Sequence, residues 1–310
     1  MKNAKILTEG AMLLAVYSVL LLLTLYIPIL GFVLSFILPI PFILFTVKYR
    51  VKQSLLFILI AFLLSGLLGS VFGIIHTLMF GISGILLGEL ISRGRSGIEL
   101  FLGSCLSYLF SIVILYVIAV LVLQIDVFDM IRESSRESFA MAESIMRATG
   151  GEVNKEAIAQ LEESIDMMQY MIPSMFVLIA MFLAFVTVVA MKPVLVRLQV
   201  KMNPFPPFRE ITFPKSILWY YLLILLFSFV EMEKGTFGYT AFLNLFFVLQ
   251  MFMVVQGLAF IYYFCHQKGI TKAVPVVLTI LTPFLLYIIR ILGIIDLGFQ
   301  LRNRISGKKK

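Results

Sequence analysis

The chain has 310 residues, of which 61% are hydrophobic and only 14% charged, and its mean hydropathy is +1.05. An ordinary soluble domain carries about 25% charged residues, so a soluble globular protein is excluded. The net charge of +8 does not indicate nucleic-acid binding, because the bases sit in short loops and at the tail. Bases placed there act as retention signals and contacts for anionic lipid.

The N-terminus carries lysines and then an apolar stretch from Ala11 to Pro28, with no small-residue cleavage site after it. This reads as a first span, not a removable leader. At about 20 apolar residues per crossing, the apolar runs give about eight to nine spans in all. The first covers about 10–26 and ends at Pro28 and Gly31. The second covers about 32–47 and is followed by Lys48, Arg50 and Lys52. The third (54–72) and fourth (75–91) are joined by an uncharged, glycine-rich stretch from Gly66 to Gly73. Arg93 and Arg95 mark a turn before the fifth (98–123).

Residues 126–166 then carry ten Asp/Glu against four Lys/Arg. Thr149, Gly150 and Gly151 signal a break, and Asn154 can cap a following helix. Ile158, Leu161, Ile165, Met168 and Ile172 recur at helical spacing. The segment 126–170 is therefore expected to be a helical hairpin. The sixth span is about 172–191. The loop after it, 192–215, holds five Lys/Arg against one Glu, with Pro204, Pro206, Pro207 and Pro214 stiffening it. Basic loops stay in the cytoplasm, so the N-terminus and this loop are expected inside and 126–170 outside.

The seventh span is about 217–230 and the eighth about 241–264. A last apolar run fills 273–295, broken by Pro283 and made costly to bury by Arg290 and Asp296. A re-entrant or interfacial second half returns the basic tail (Arg302, Arg304, Lys308–Lys310) to the cytoplasm. The expected fold is an all-α polytopic bundle: a six-span unit at 1–192, a proline-rich loop at 193–215, and C-terminal membrane helices with a basic tail at 216–310.

Several polar or small residues interrupt the apolar faces. Ala11, Ala15 and Ser18 line one side of the first span, and Thr77, Gly81, Gly84 and Gly88 one side of the fourth. Small residues let helices approach closely in lipid, within this chain or with another. Ser104, Ser107, Tyr108 and Ser111 form a polar stripe on the fifth span, which either packs or lines a pocket. Asn244, Gln250 and Gln256 on the eighth span are open to the same two readings. His76 is a lone histidine at the start of the fourth span. Metal and cofactor sites are not expected. Cys265 and His266 are adjacent and cannot wrap a tetrahedral ion. Cys105 and Cys265 read as packed free thiols.

Enzyme signatures such as H-E-x-x-H, G-x-S-x-G and the P-loop do not occur. Glu162 and Glu163 resemble the start of an intramembrane-protease motif, but Met167 stands where its arginine belongs. An enzyme is not expected.

The stretch from Glu9 to Ser18 resembles the opening helix of substrate-binding S components of energy-coupling-factor vitamin transporters. In that family an A-x-x-x-A surface contacts the membrane coupling subunit, and Ala11 and Ala15 match it. The likeness extends over about the first 190 residues. It implies capture of a small molecule (a vitamin or metabolite) at the outer side of a bacterial cytoplasmic membrane. His76, Ser107, Tyr108, Ser111 and Tyr116 are the candidate contacts, the exterior hairpin the candidate lid, and partner ATPases the energy source. The whole chain resembles the YybS-like family of bacterial membrane proteins, through Pro206-Pro207-Phe208, Pro214, Trp219, and Gly293 through Asp296 to Arg302. The long acidic excursion and about 100 extra residues depart from typical S components. They leave open a non-transporting scaffold that recruits a cytoplasmic partner.

Overall fold

A computed structural model describes residues 2–125, 127–148, 155–203 and 205–305, and every regular element among them is helical. The expected break at Thr149–Gly151, the Asn154 cap, the side chains of Ile158 and Leu161, Pro204 and Lys308–Lys310 lie outside this description. In order come α1 (Lys2–Tyr26), α2 (Pro28–Ser35), α3 (Pro39–His76), a π-helical turn (Thr77–Gly81), α4 (Ile82–Ser92) and α5 (Gly97–Leu121). They are followed by α6 (Val127–Ala148), α7 (Lys155–Met168), α8 (Ile172–Arg197), α9 (Lys215–Phe227) and α10 (Phe237–Gln267). The last three are α11 (Ala273–Ile280), α12 (Thr282–Phe299) and α13 (Leu301–Ile305). Six helical stretches among the described residues are long and apolar enough to cross a membrane. Many of their leucine, valine and phenylalanine side chains are exposed, as lipid-facing residues are.

The first unit comprises Met1–Ile131 and Phe176–Phe205. Proline sets its opening: Pro28 ends α1 and occupies the first turn of α2, where its missing N–H costs nothing. Gly31 lets the chain fold back on α1, since a Cβ there would collide with the Thr24 carbonyl. The 65-residue stretch 28–92 is not one rod. Arg50 (φ 66°) and Ser70 (φ 50°) leave helical geometry inside α3, and the chain reverses at each. Across the first reversal Thr46 donates to Ser54 at 2.8 Å and Phe45 stacks on Phe57 at 4.4 Å. At the second, Gly73 lies against the Ser65 carbonyl.

Serine is costly at such a positive φ, a region that favours glycine, with strain of about 1–3 kcal/mol. Ser70→Gly is therefore expected to raise the thermal midpoint of the detergent-purified protein, after an offset of about 1 kcal/mol for glycine's backbone freedom. A lowered midpoint would show the turn to be unstrained.

The small-residue face of the fourth apolar run meets the second. A Cβ on Gly84 would lie 2.7 Å from both the Phe42 Cβ and the Pro39 carbonyl, and one on Gly88 would lie 2.7 Å from Thr46. Such close approach suits lipid, where packing rather than water exclusion drives helix association. α5 opens on a capping box: the Ser96 hydroxyl accepts from the Glu99 N–H at 3.3 Å, and the Glu99 carboxylate accepts from the Ser96 N–H at 2.7 Å. Asn203 donates to the Gly94 carbonyl at 2.7 Å and so docks the start of the proline-rich loop on the α4–α5 turn. The core is aromatic, with Tyr17, Phe42, Phe57, Phe80 and Tyr108 all buried.

The second unit comprises Arg132–Met175 and Pro206–Lys310. The acidic segment holds two helices, α6 and α7, joined by an Arg132–Asp166 ion pair at 3.1 Å. Ile165 is half-buried and Met168 is exposed. Lys234 donates to Glu163 at 2.7 Å, and that bond pushes the lysine's pKa up. Both groups are exposed, so the pair positions more than it stabilises. Asn244 is more specific. It accepts from the Ser174 N–H at 2.7 Å and donates to the Tyr170 carbonyl at 2.6 Å, fixing α10 to the start of α8. The last apolar run is two helices, broken at Leu281 just before Pro283.

Candidate functional site

The five residues nominated for a pocket do not form one cluster. Tyr108 is fully buried at the centre of the first unit, where its hydroxyl pairs with Thr187 of α8 at 2.8 Å. Ser111 donates to the Leu78 carbonyl at 3.4 Å. Leu78 belongs to the π turn, a widened coil that recurs at functional sites because it frees carbonyls from their usual partners. Thr77, in the same turn, pairs with Tyr17 of α1 at 2.5 Å. The Ser107 hydroxyl is buried without a hydrogen-bond partner, whereas that of Ser83 on α4 lies against the Tyr108 hydroxyl. His76 is half-buried, and its Nδ1 is 2.8 Å from the Phe72 carbonyl one turn back. Phe80 stands between it and Tyr108, 6.0 Å and 5.7 Å from the two rings. Tyr116 lies two turns along α5 and packs edge-on against Phe176 at 5.2 Å.

Four helices thus place hydroxyls around the π turn: Tyr17 from α1, Ser83 from α4, Ser107, Tyr108 and Ser111 from α5, and Thr187 from α8. Chemically the cluster can only donate and accept hydrogen bonds; it contains no base, acid or metal ligand set. The unpartnered Ser107 hydroxyl is its open valence, since buried polar groups normally find a partner. Sequence reasoning missed Thr187 and Ser83, and read Thr77 only as part of a small-residue face. Thr187 and Ser83 each sit singly in an apolar run, and only the fold shows that they face α5 and that Thr77 faces α1.

A second polar centre lies inside the second unit. Asp296 of α12 is 3% exposed, and its Oδ2 accepts from Gln256 Nε2 at 2.5 Å and from Arg302 Nε at 3.0 Å. Gln256 Oε1 accepts from the Phe213 N–H at 3.0 Å. Arg302 also donates to the Arg209 carbonyl at 2.9 Å, and its guanidinium lies 5.5 Å from the Tyr263 ring. Gln300, in the left-handed conformation, turns the chain so that Arg302 faces back to Asp296. Phe208 against Tyr262 (5.3 Å) and Phe213 against Phe252 (5.2 Å) complete the seat. The proline-rich loop is therefore pinned by α10 and α13, whose two anchoring side chains Asp296 of α12 holds together. α12 can lie this close to α10 because glycine faces glycine's neighbour on each side. A Cβ on Gly257 would collide with the Ile289 carbonyl, and one on Gly293 with the Met253 carbonyl.

Both centres fall within a stretch shared with other proteins. A family model described as "Predicted membrane protein (DUF2232)" matches residues 15–297. The "Uncharacterized protein YybS" of Bacillus subtilis (strain 168) is 33% identical over 311 aligned residues, covering 99% of this chain and all of that protein. No solved structure matches the chain. With apolar helices long enough to span a bilayer and a family match over nearly its full length, this chain is an integral membrane protein of the DUF2232 family.

Proposed function

We propose that the chain is a non-enzymatic, multi-pass protein of a bacterial cytoplasmic membrane. Its first unit works as a substrate-binding subunit for a small polar molecule and depends on a membrane coupling subunit and partner ATPases. The outer face of α1 carries this reading. Leu14, Tyr17 and Leu21 point inward, whereas Ala11 and Ala15 are exposed. Exposed alanines one turn apart leave a shallow surface where a second chain's helix can come close. Six passes in this unit, counting three in 28–92, fit the same reading. So does the unpartnered Ser107 hydroxyl, which offers a hydrogen bond to a small polar ligand.

Native mass spectrometry of the full-length protein, purified from its own membrane, tests the proposal. We expect bound protein partners and a small molecule in the wild type. Ala11→Leu/Ala15→Leu is expected to lose the partners and keep its thermal midpoint, because the added volume projects outward. Unchanged partners in the double variant would overturn the coupling role of α1. Partners without any small molecule would instead favour the scaffold reading, for which the pinned loop is the supporting feature.

The orientation forms part of the proposal: 126–170 outside, 192–215 inside. In a chain whose Cys105 and Cys265 are replaced by serine, Ser144→Cys is expected to react with an impermeant thiol reagent on intact cells. Lys201→Cys is expected to react only after lysis. The reverse pattern would invert the topology.

A further inference from the structure

We infer that Asp296 and Arg302 fold the C-terminal segment onto the proline-rich loop to build one composite basic surface, and that this surface binds the headgroups of anionic phospholipids. The geometry begins with the buried clamp. Asp296 holds the Arg302 Nε, and the Arg209 carbonyl holds its Nη1. The Tyr263 hydroxyl donates to the Arg302 carbonyl at 3.3 Å, and the Gln267 amide donates to that same hydroxyl at 3.3 Å. The end of α10, the loop at Arg209 and the short α13 therefore meet at one end of this unit.

Among the described residues, three cations stand there outside the clamp. Lys268 follows Gln267 and is exposed, Arg304 is exposed, and the Arg209 side chain is 39% exposed. The acids nearby are Asp296, already committed to Arg302, and the exposed Glu210, which stands 3.8 Å from Arg209. Positive charge thus predominates at this end.

Depth selects the occupant. The surface lies where α10 ends and α9 begins, so it is at the boundary of two apolar helices. Trp219, one turn into α9, is 68% exposed, as an aromatic side chain at the lipid–water boundary is. Bases at that depth face phosphate headgroups, and anionic lipid adds net charge that zwitterionic lipid lacks. Gln256 and Arg302 contribute by position: they hold the loop and the tail together without touching the lipid.

The test is native mass spectrometry of the full-length protein in mild detergent, with phosphatidylglycerol and phosphatidylcholine at equal concentration. The wild type is expected to retain phosphatidylglycerol preferentially. Arg209→Gln/Lys268→Gln/Arg304→Gln is expected to weaken that retention about fivefold per charge removed. Phosphatidylcholine retention should not change. Lys5→Gln/Lys52→Gln/Arg197→Gln removes as much charge from scattered loop positions and is expected to lose much less of the preference. Asp296→Leu/Arg302→Met leaves all three cations and the net charge unchanged and is expected to lose part of the preference, because the clamp no longer seats the tail. Equal retention of the two lipids by the wild type would overturn the proposal. So would equal losses in the two triple variants, or release of bound phosphatidylglycerol in favour of an acidic protein partner. A wild-type preference in Asp296→Leu/Arg302→Met would overturn the role of the clamp.

Discussion

Replacing Gly293 with alanine is expected to push α12 off α10 and to destabilise the C-terminal unit by about 3 kcal/mol, the upper end of ordinary overpacking. The methyl group would land on the Met253 carbonyl, and the reciprocal contact at Gly257 is blocked by the Ile289 carbonyl. Both obstacles are backbone, so no side chain can rotate away to make room. The helices must separate, and every van der Waals contact along the seam weakens with distance. Lipid offers no hydrophobic force to hold them together meanwhile. Gly238 supplies the control, since a Cβ there meets nothing within 4 Å. Gly238→Ala is expected to be neutral or slightly stabilising, as alanine is the better helix former. Thermal unfolding of both variants in the same detergent checks this. Equal midpoints would show that the crossing is not tight.

Asp296→Ala is expected to cost about 3 kcal/mol, because removing one member of a buried ion pair leaves the other charge without compensation. Arg302 is 13% exposed at its side chain and keeps the Arg209 carbonyl, which places the cost at the low end of that range. Gln256 also loses the acceptor for its amide nitrogen. The double variant Asp296→Leu/Arg302→Met is expected to cost less than Asp296→Ala alone, since no charge is then stranded. Denaturation with SDS in mixed micelles gives the comparison. A double variant as unstable as the sum of the two single variants would mean that the groups act independently.

The helical class and most helix ends were legible because lipid enforces a simple code: apolar run, then charge or proline. Pro28 and Pro283 mark breaks where expected, though each also opens a new helix, and Lys48, Arg50 and Lys52 bracket a reversal. The glycine face of 81–88 correctly signalled a close helix contact, though not that Pro39–Thr46 would supply the other side. Pairings across long sequence separation left no local trace. Tyr108 and Thr187 are 79 residues apart, and nothing around Thr187 distinguishes it from a threonine facing its own helix. Asp296 stood out as costly to bury, and Arg302 stood out as a tail residue. Their union depends on Gln300 turning left-handed, which the surrounding sequence does not announce. The reverse holds for Ala11 and Ala15. Their spacing marked a small face, but only the fold shows that, among the described residues of the first unit, α1 turns Leu14, Tyr17 and Leu21 inward and this face outward.

The reversal at Ser70 bears on how the protein is made. It is a single residue with no charged neighbour between Gly66 and His76, and the two helical segments it joins are already in contact at Ser65 and Gly73. There is no hydrophilic connector to be carried through the bilayer during synthesis. The pair can therefore partition from the translocation channel as one preassembled hairpin. A ribosome stalled just past residue 70 would present only half of that hairpin, with the Ser65 side of the seam open to whatever apolar surface is nearest.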